Sequence, residues 1–186
     1  MRRGMRVRSR ERGFSILEVM VAVLILSFGL LGLAGLQVLS LKSNVSAAQR
    51  TIATQLAYDL SDRMRANLAS VLAGDYNYVN YSATNVAGQT TSACFTPAGC
   101  SSVQLAQEDI YEWNQQICSQ LPQSTACTAA GPWGIVCLDS TPNDGIPTAP
   151  ACDGVAGAPY VIKVWWIDDR NDPSLPLKQW VTSFMP

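Results

Sequence analysis

The residues of this chain with the most specific chemistry are six cysteines, all in its C-terminal half. An even number of cysteines confined to one region indicates disulfides formed in an oxidising compartment. Six cysteines permit many pairings, and we favour the sequential one because short loops are the easiest to close. The predicted bonds are Cys94–Cys100, Cys118–Cys127 and Cys137–Cys152.

Other catalytic and metal-binding groups are scarce. The chain contains no histidine, which excludes Ser-His-Asp and Cys-His catalysis and histidine zinc sites. No Cys-x-x-Cys pair occurs, so the spacing argues against a zinc cluster. Oxygen-bearing side chains between Cys137 and Cys152, or just beyond, resemble calcium ligands, but they lack the spacing of an EF-hand loop and lie among ordinary turn formers. They are Asp139, Asn143, Asp144 and Asp153. We predict no metal, no cofactor and no enzymatic activity.

A further acidic group, Glu108, Asp109 and Glu112, falls in a segment of helical periodicity. This segment begins at Ser101, where a serine followed by Gln104 forms a capping-box pattern. Apolar residues recur at helical spacing up to residue 121, and the helix is expected to end at about Gln120, before Pro122. The three acids are expected on its solvated face rather than as a catalytic carboxylate pair.

The N-terminus differs sharply from the rest in charge and hydropathy. Residues 1–13 hold six arginines and one glutamate, whereas the remaining chain has seven basic and thirteen acidic residues. An almost unbroken apolar run follows, from Phe14 to Leu41, with one carboxylate, Glu18, near its start. The run is long enough to span a bilayer, at about residues 16–38. Its flanking charges place the arginines in the cytoplasm and the acidic remainder outside.

The order of arginines, Gly13, Phe14, apolar run and Glu18 resembles the N-terminus of type IV prepilins. Further stretches are similar to minor pilins, namely 29–37, 57–67 and 137–145. The resemblance implies that residues 1–13 are a leader, which prepilin peptidase removes by cutting between Gly13 and Phe14. It also implies that the new N-terminal Phe14 is methylated.

Glu18 needs a physical account, because a carboxylate in hydrocarbon costs roughly 2.5–3.5 kcal/mol on insertion scales. From position alone, the alternative is a glutamate near the interface whose side chain reaches water. The resemblance implies a partner instead, the positive amine of Phe14 on a neighbouring subunit. That ion pair would set the axial register of one helix on the next during assembly.

The apolar run continues into an amphipathic segment, which predicts one long helix over residues 14–74. Gly29, Gly32 and Gly35 interrupt the run, as sites of close helix packing or as a hinge. No glycine or proline follows until Gly74, which is predicted to end the helix by its residue type. Apolar residues recur on one face of the second half: Leu39, Val45, Ala48, Ile52, Leu56, Leu60, Met64, Leu68 and Val71.

Residues 75–186 are expected to form a disulfide-bonded domain outside the cytoplasm. The segment 75–99 is polar and contains Tyr76, Tyr78 and Tyr81, which suits a loop with short strand pieces. Strands are predicted at 133–138, 160–167 and 180–185 from β-branched and aromatic residues. A small antiparallel sheet packed on a long N-terminal helix is an α+β arrangement, and the resemblance implies the type IV pilin fold.

The leading functional prediction is a minor pilin, a structural subunit that takes part in priming pilus assembly at or near the tip and supports adhesion and twitching motility. The resemblance implies as partners prepilin peptidase, other minor pilins, the major pilin, a large tip adhesin and, before assembly, the inner membrane. A minor pseudopilin of a type II secretion system remains the alternative. A DNA-receptor pilin is disfavoured, because only Lys163, Arg170 and Lys178 are basic after residue 75. A membrane-anchored enzyme is disfavoured by the absence of histidine.

Overall fold

The computed structural model describes residues 13–78, 91–123, 133–169, 172 and 174–185. The predictions for the leader residues before Gly13, for Tyr81, for Cys127 and for Arg170 lie outside the described residues. The chain divides between Asn44 and Val45 into two compact units. The first unit contributes apolar helix, and the second contains the hydrophobic core.

The long N-terminal helix is interrupted once. Helix α1 covers Ile16–Ala66 and helix α2 covers Leu68–Ala73, whereas the sequence predicts one helix over 14–74. Asn67 lies between them with φ −111° and ψ 49°. Its side-chain Nδ2 donates to Tyr76 Oη at 3.2 Å and to the backbone oxygen of Ser102 at 2.8 Å. These bonds come from distant segments, so helix propensity alone does not anticipate the break. Gly74 ends α2 in the left-handed conformation, as predicted.

Only part of the predicted apolar face is buried. Leu56, Leu60, Met64 and Val71 are in the core, and Ile52 packs against it. The remaining predicted members are exposed: Leu39, Val45, Ala48 and Leu68. Burial in the second unit therefore begins about one turn after its first residue, at Gln49 and Ala53.

The second long helix, α3, covers Ser102–Gln120 and agrees closely with its prediction. Ser101 Oγ accepts from the Gln104 N–H at 3.3 Å, and Gln104 Oε1 accepts from the Ser101 N–H at 3.0 Å, which completes the capping box. A short 3₁₀ helix, Ser92–Phe95, precedes it. The apolar face of α3 packs into the core, where the Trp113 indole Nε1 donates to the Leu56 oxygen of α1 at 2.8 Å.

Two of the three acids predicted on the solvated face of α3 are buried, so that prediction is wrong for Glu108 and Asp109. Asp109 accepts a hydrogen bond from Tyr76 Oη at 2.5 Å and lies 3.4 Å from Arg63 Nη1. Glu108 accepts from the backbone N–H of Thr91. Glu112 stays partly exposed and pairs with Arg63 at 2.7 Å. Asp109 turns inward because Arg63 and Tyr76, both distant in sequence, supply its partners. Glu108 turns inward because the Thr91 backbone supplies its partner.

Three antiparallel strands complete the second unit in the order β1-β2-β3. They cover Gly134–Leu138, Tyr160–Trp166 and Lys178–Phe184. In the register, Val136 pairs with Ile162 and Ile162 pairs with Thr182. The central strand β2 is buried along its whole length. Its Tyr160 Oη donates to the Val71 oxygen of α2 at 2.8 Å, which ties the sheet to the end of the helical segment.

Gly134 marks the closest approach of the sheet to α3. A Cβ placed there would lie 2.5 Å from Trp113 Cη2 and would overlap Ile117 Cδ1. The Trp113 ring is held by its hydrogen bond to Leu56, so it cannot easily move aside. We expect Gly134→Ala to lower the free energy of unfolding by roughly 1–3 kcal/mol, the usual cost of overpacking a core. Denaturant unfolding followed by tryptophan fluorescence measures this, and an unchanged midpoint would show that the helix and sheet are less tightly packed.

Candidate functional site

The segment predicted to be processed lies at the start of the described chain. Gly13, Phe14 and Ser15 precede α1, and all three are exposed. The helix begins at Ile16, and the Ser15 oxygen accepts from the backbone N–H groups of Glu18 and Val19 at 3.0 and 3.2 Å. The Gly13–Phe14 peptide bond therefore lies outside the helical hydrogen-bond ladder, in exposed chain without regular secondary structure.

Glu18 lies in the first turn of α1 and is exposed. A carboxylate at this position interacts favourably with the positive end of the helix dipole, by about 0.3–1 kcal/mol. Among the described residues, none forms a hydrogen bond or ion pair with its side chain. The surrounding side chains are apolar and include Leu17 and Val19. Glu18 is thus a charged group on an apolar surface, with only the helix end to stabilise it.

The apolar run itself packs against nothing in this chain. Every residue from Gly13 to Val45 is exposed. Gly29, Gly32 and Gly35 lie inside α1 with open space where a Cβ would be, so they leave room for a neighbouring helix. Within the described residues, α1 is long and apolar enough to cross a membrane, by length and composition. The segment is consistent with anchoring in an inner membrane.

The cysteines of the described chain are oxidised. Cys94 bonds to Cys100 and Cys137 bonds to Cys152, which are two of the three pairs predicted from the sequence. Cys118 is also disulfide-bonded, while its predicted partner, Cys127, lies outside the described residues. The Cys137–Cys152 bond closes the connection from β1 towards β2, so it restrains the long loop between these strands.

That loop, residues 139–153, is organised around the ammonium group of Lys163, and we call it the lysine-centred loop. Lys163 lies in the middle of β2 and is fully buried, as is Asp139. The Lys163 Nζ lies 2.6 Å from Asp139 Oδ2 and 2.8 Å from Asp144 Oδ1. It also donates to the backbone oxygens of Asp144 and Pro150 at 3.1 and 2.9 Å. Four oxygens thus surround one buried positive charge.

The loop acids therefore have partners within the chain. Asp139 Oδ1 also accepts from the Thr141 N–H at 2.9 Å, and Asp153 accepts from the Ser140 and Val155 N–H groups at about 3.1 Å. Asn143 is exposed and lies in the turn. Within the described residues, no group of three or more acidic or cysteine side chains could hold a metal ion. The cation at the centre of this loop is the lysine.

Sequence reasoning named the acids of this loop and missed the lysine. Lys163 stands in a strand otherwise made of apolar side chains, between Ile162 and Val164. Alternation along a strand places it on the opposite face from those two residues, and that face is covered by the loop. A lone lysine in an apolar strand, together with several aspartates in the preceding loop, could have predicted this ion pair from the sequence.

Some aspartates of the second unit are expected to have a pKa below the ordinary value of 3.8, and one is expected to have a pKa above it. The hydrogen bond from Lys163 lowers the pKa of Asp144, and bonds from Ser140 and Val155 lower that of Asp153. Burial raises the pKa of Asp109, although Tyr76 and Arg63 oppose the rise. Asp144 therefore stabilises the folded state above its unfolded pKa, and this contribution is lost as the pH falls through its folded pKa. The contribution of Asp109 has the opposite sign, because its pKa is raised on folding: it is present below the unfolded pKa and is lost as the pH rises through the folded pKa.

Carboxyl-detected NMR titration of the full-length protein in detergent measures these three values. We expect Asp144 and Asp153 to titrate below 3.8 and Asp109 above it. An Asp144 value at or above 3.8 would show that its bond to Lys163 does not persist in solution.

Comparison with known families matches two adjacent parts of the chain. Residues 8–34 match the prokaryotic N-terminal methylation motif. Residues 35–111 match a Tt1218-like family, described as type IV pilin Tt1218. No curated protein and no solved structure matches the chain. The methylation motif implies processing by a prepilin peptidase and a context of pilus assembly.

The matched segments and the architecture lead to the same assignment. The motif ends and the pilin-family match begins within α1, and the match continues into α3. The long apolar helix and the three-stranded antiparallel sheet form the α+β type IV pilin fold. Type IV pilins are structural proteins rather than enzymes. The chain is thus similar to type IV pilins over residues 35–111 and carries a prepilin N-terminal methylation motif over residues 8–34.

Proposed function

We propose that this chain is a minor pilin, a non-enzymatic subunit that helps to prime type IV pilus assembly and lies at or near the pilus tip. Prepilin peptidase cuts it between Gly13 and Phe14, and Phe14 is then methylated. Its sequence is similar to PilV, the type IV pilus modification protein, in the stretches 29–37, 57–67 and 137–145. The proposal is finer than the family assignment, which does not separate minor from major subunits.

One observation carries the proposal: an exposed apolar surface that holds a single carboxylate. All residues from Gly13 to Val45 are exposed, and Glu18 has no partner among the described residues. An apolar helix of this length is stable only in a bilayer or against other apolar helices. A charge within it is stable there only with an opposite charge nearby. Both requirements are met by a bundle of such helices with free amino termini.

The mechanism follows from these two requirements. Before assembly, approximately residues 16–38 span the inner membrane, and the second unit lies in the periplasm. When subunits associate, the amine of Phe14 on one subunit and the Glu18 carboxylate on its neighbour neutralise each other. Their pairing selects one axial register of the helices, because a shift by one turn of about 5.4 Å separates the charges. The second unit is then carried outside the cell.

The second unit offers surface for partners and little for nucleic acid. Of its basic side chains, Lys163 is buried and Arg63 is paired with three acids. We therefore expect no direct binding of DNA, which requires a basic stripe. The proposed partners are other minor pilins, the major pilin and a large tip adhesin. Adhesion and twitching motility then depend on this chain through assembly.

In-frame deletion of the gene tests the proposal against a role in type II secretion. We expect fewer surface pili and reduced twitching, both restored by the wild-type gene, with secretion of type II substrates unchanged. The stretch 62–67 and the disulfide-rich C-terminal half favour the pilus. Normal piliation combined with defective secretion would reassign the chain to a pseudopilus.

A further inference from the structure

A small cavity of about 250 Å³ lies in the second unit, between α1 and the sheet. It is lined by Ser46 and Arg50 of α1, Trp166 at the end of β2, and Lys178 and Gln179 at the start of β3. Among the described residues, the lining contains two cationic groups and no acidic side chain. Each of the five side chains also carries a hydrogen-bond donor. The cavity is thus built mainly from donors and positive charge.

The partners already present leave capacity for a ligand. Arg50 lies over the Trp180 ring at 5.8 Å, a contact that uses the face of the guanidinium and leaves its N–H edge free for oxygen acceptors. Lys178 Nζ lies 3.5 Å from Asp168 Oδ2, and Ser46 donates to the same carboxylate at 3.3 Å. Asp168 therefore balances one of the two positive charges, and the cavity keeps a net charge of about +1 by this count.

A second observation points to a missing acceptor. Trp166 is buried, with 3% of its surface exposed, and its indole Nε1 has no hydrogen-bond partner among the described residues. A buried donor without a partner costs about 1–3 kcal/mol. Because Trp166 lines the cavity, an oxygen ligand held by Arg50 and Lys178 lies within reach of this side chain.

We propose that this cavity binds a phosphate group, and that the group belongs to an anionic phospholipid headgroup. A phosphate presents several acceptor oxygens to a guanidinium fork and an ammonium at once. The volume of about 250 Å³ accommodates a phosphate with a short substituent. The sequence favours the lipid, because Arg50 follows Leu41, the last residue of the apolar run, by only nine residues.

The choice of a lipid rests on the membrane span proposed above, whereas binding of phosphate does not. Occupation of the cavity would hold the second unit at the membrane surface before assembly, and the contact would be lost when the subunit leaves the bilayer. Failure of lipid binding and failure of membrane insertion are distinguishable, because insertion is measured separately by flotation with vesicles.

The experiment uses full-length protein in nanodiscs and follows the indole N–H resonance of Trp166 by NMR. One arm adds inorganic phosphate to protein in phosphatidylcholine nanodiscs, and the other replaces part of the phosphatidylcholine with phosphatidylglycerol. We expect a saturable shift with phosphate, and the same shift without phosphate in phosphatidylglycerol discs. Arg50→Gln should weaken phosphate binding at least about tenfold, as loss of one charge-assisted hydrogen bond predicts.

Arg65→Gln is the matched control. Arg65 is also an arginine of α1 placed over an aromatic ring of β3, at 5.6 Å from Phe184, but it does not line the cavity. We expect it to leave binding unchanged. A shift with phosphate and none with phosphatidylglycerol would refute the lipid source and keep the phosphate site. Three outcomes would overturn the site itself. They are the absence of a saturable shift in both arms, an equal loss of phosphate affinity in both variants, and tighter binding of acetate than of phosphate.

Discussion

Replacing Lys163 with methionine is expected to lower the free energy of unfolding of the second unit by about 3–5 kcal/mol. The substitution keeps the volume of the side chain but leaves Asp139 buried without its cation. Removal of one partner from a buried pair is costly because the other charge remains in a medium of low polarity. The backbone oxygen of Pro150 loses its donor at the same time, and that of Asp144 keeps only the Gln179 Nε2 donor at 3.3 Å.

Tryptophan fluorescence of the full-length protein in detergent measures this loss during denaturant unfolding. All five tryptophans lie after residue 45, so their emission reports only on the second unit. Lys178→Met is the matched control, since the Lys178 side chain is 41% exposed and its ion-pair partner, Asp168, lies 3.5 Å away. We expect that variant to change stability by less than about 1 kcal/mol.

A double variant separates the charge from the packing. In Lys163→Met with Asp139→Asn, the amide keeps Oδ1 for the Thr141 N–H, and no buried charge remains. We expect it to recover at least about 2 kcal/mol relative to Lys163→Met alone, because the neutral amide is cheaper to bury. If Asp139→Asn makes the single variant still less stable, the ion pair is not the main contribution of Lys163.

The second large effect is functional and concerns Glu18. We expect Glu18→Ala and Glu18→Gln to leave leader cleavage intact and to reduce incorporation into pili at least about tenfold, the effect of about 1.4 kcal/mol. Both variants remove the negative charge that we propose to pair with the amine of Phe14. Cleavage should persist because Glu18 lies within the helix, whereas the Gly13–Phe14 bond precedes it.

Immunoblots of membranes and of sheared pili measure cleavage and incorporation separately. Ser27→Ala is the control, because Ser27 is a polar residue of the same helix whose hydroxyl already donates to the Val23 oxygen at 2.7 Å. It should be incorporated normally. Normal incorporation of both Glu18 variants would falsify the proposed ion pair. It would indicate instead that the Glu18 side chain lies near the interface and reaches water.

Features that depend on neighbouring residues were predictable from the sequence. The capping box at Ser101 joins groups three residues apart, so its pattern predicts the start of α3. The β-branched and aromatic residues of β2 likewise predict a buried strand. The two short disulfide loops belong to the same class, because closing a short loop needs little help from the rest of the chain.

Features that depend on distant partners were not predictable in the same way. The break at Asn67 rests on Tyr76 and Ser102, and the burial of Asp109 rests on Arg63, which is 46 residues away. The lysine-centred loop joins Asp139 to a strand 24 residues later, and the loop between them contains the groups that enclose the charge. In each case local sequence indicates a solvated polar residue, and a partner from another element makes burial favourable.

We propose that this chain is cut after Gly13 and enters a type IV pilus, and mass spectrometry of sheared pili is the decisive experiment. We expect peptides of this chain in the pilus fraction, with an N-terminal peptide that begins at Phe14 and carries one N-methyl group. The same sample treated without reductant should contain the Cys94–Cys100 and Cys137–Cys152 bonds. Pili that lack the chain, while membranes hold it uncut with residues 1–13 attached, would overturn the proposal.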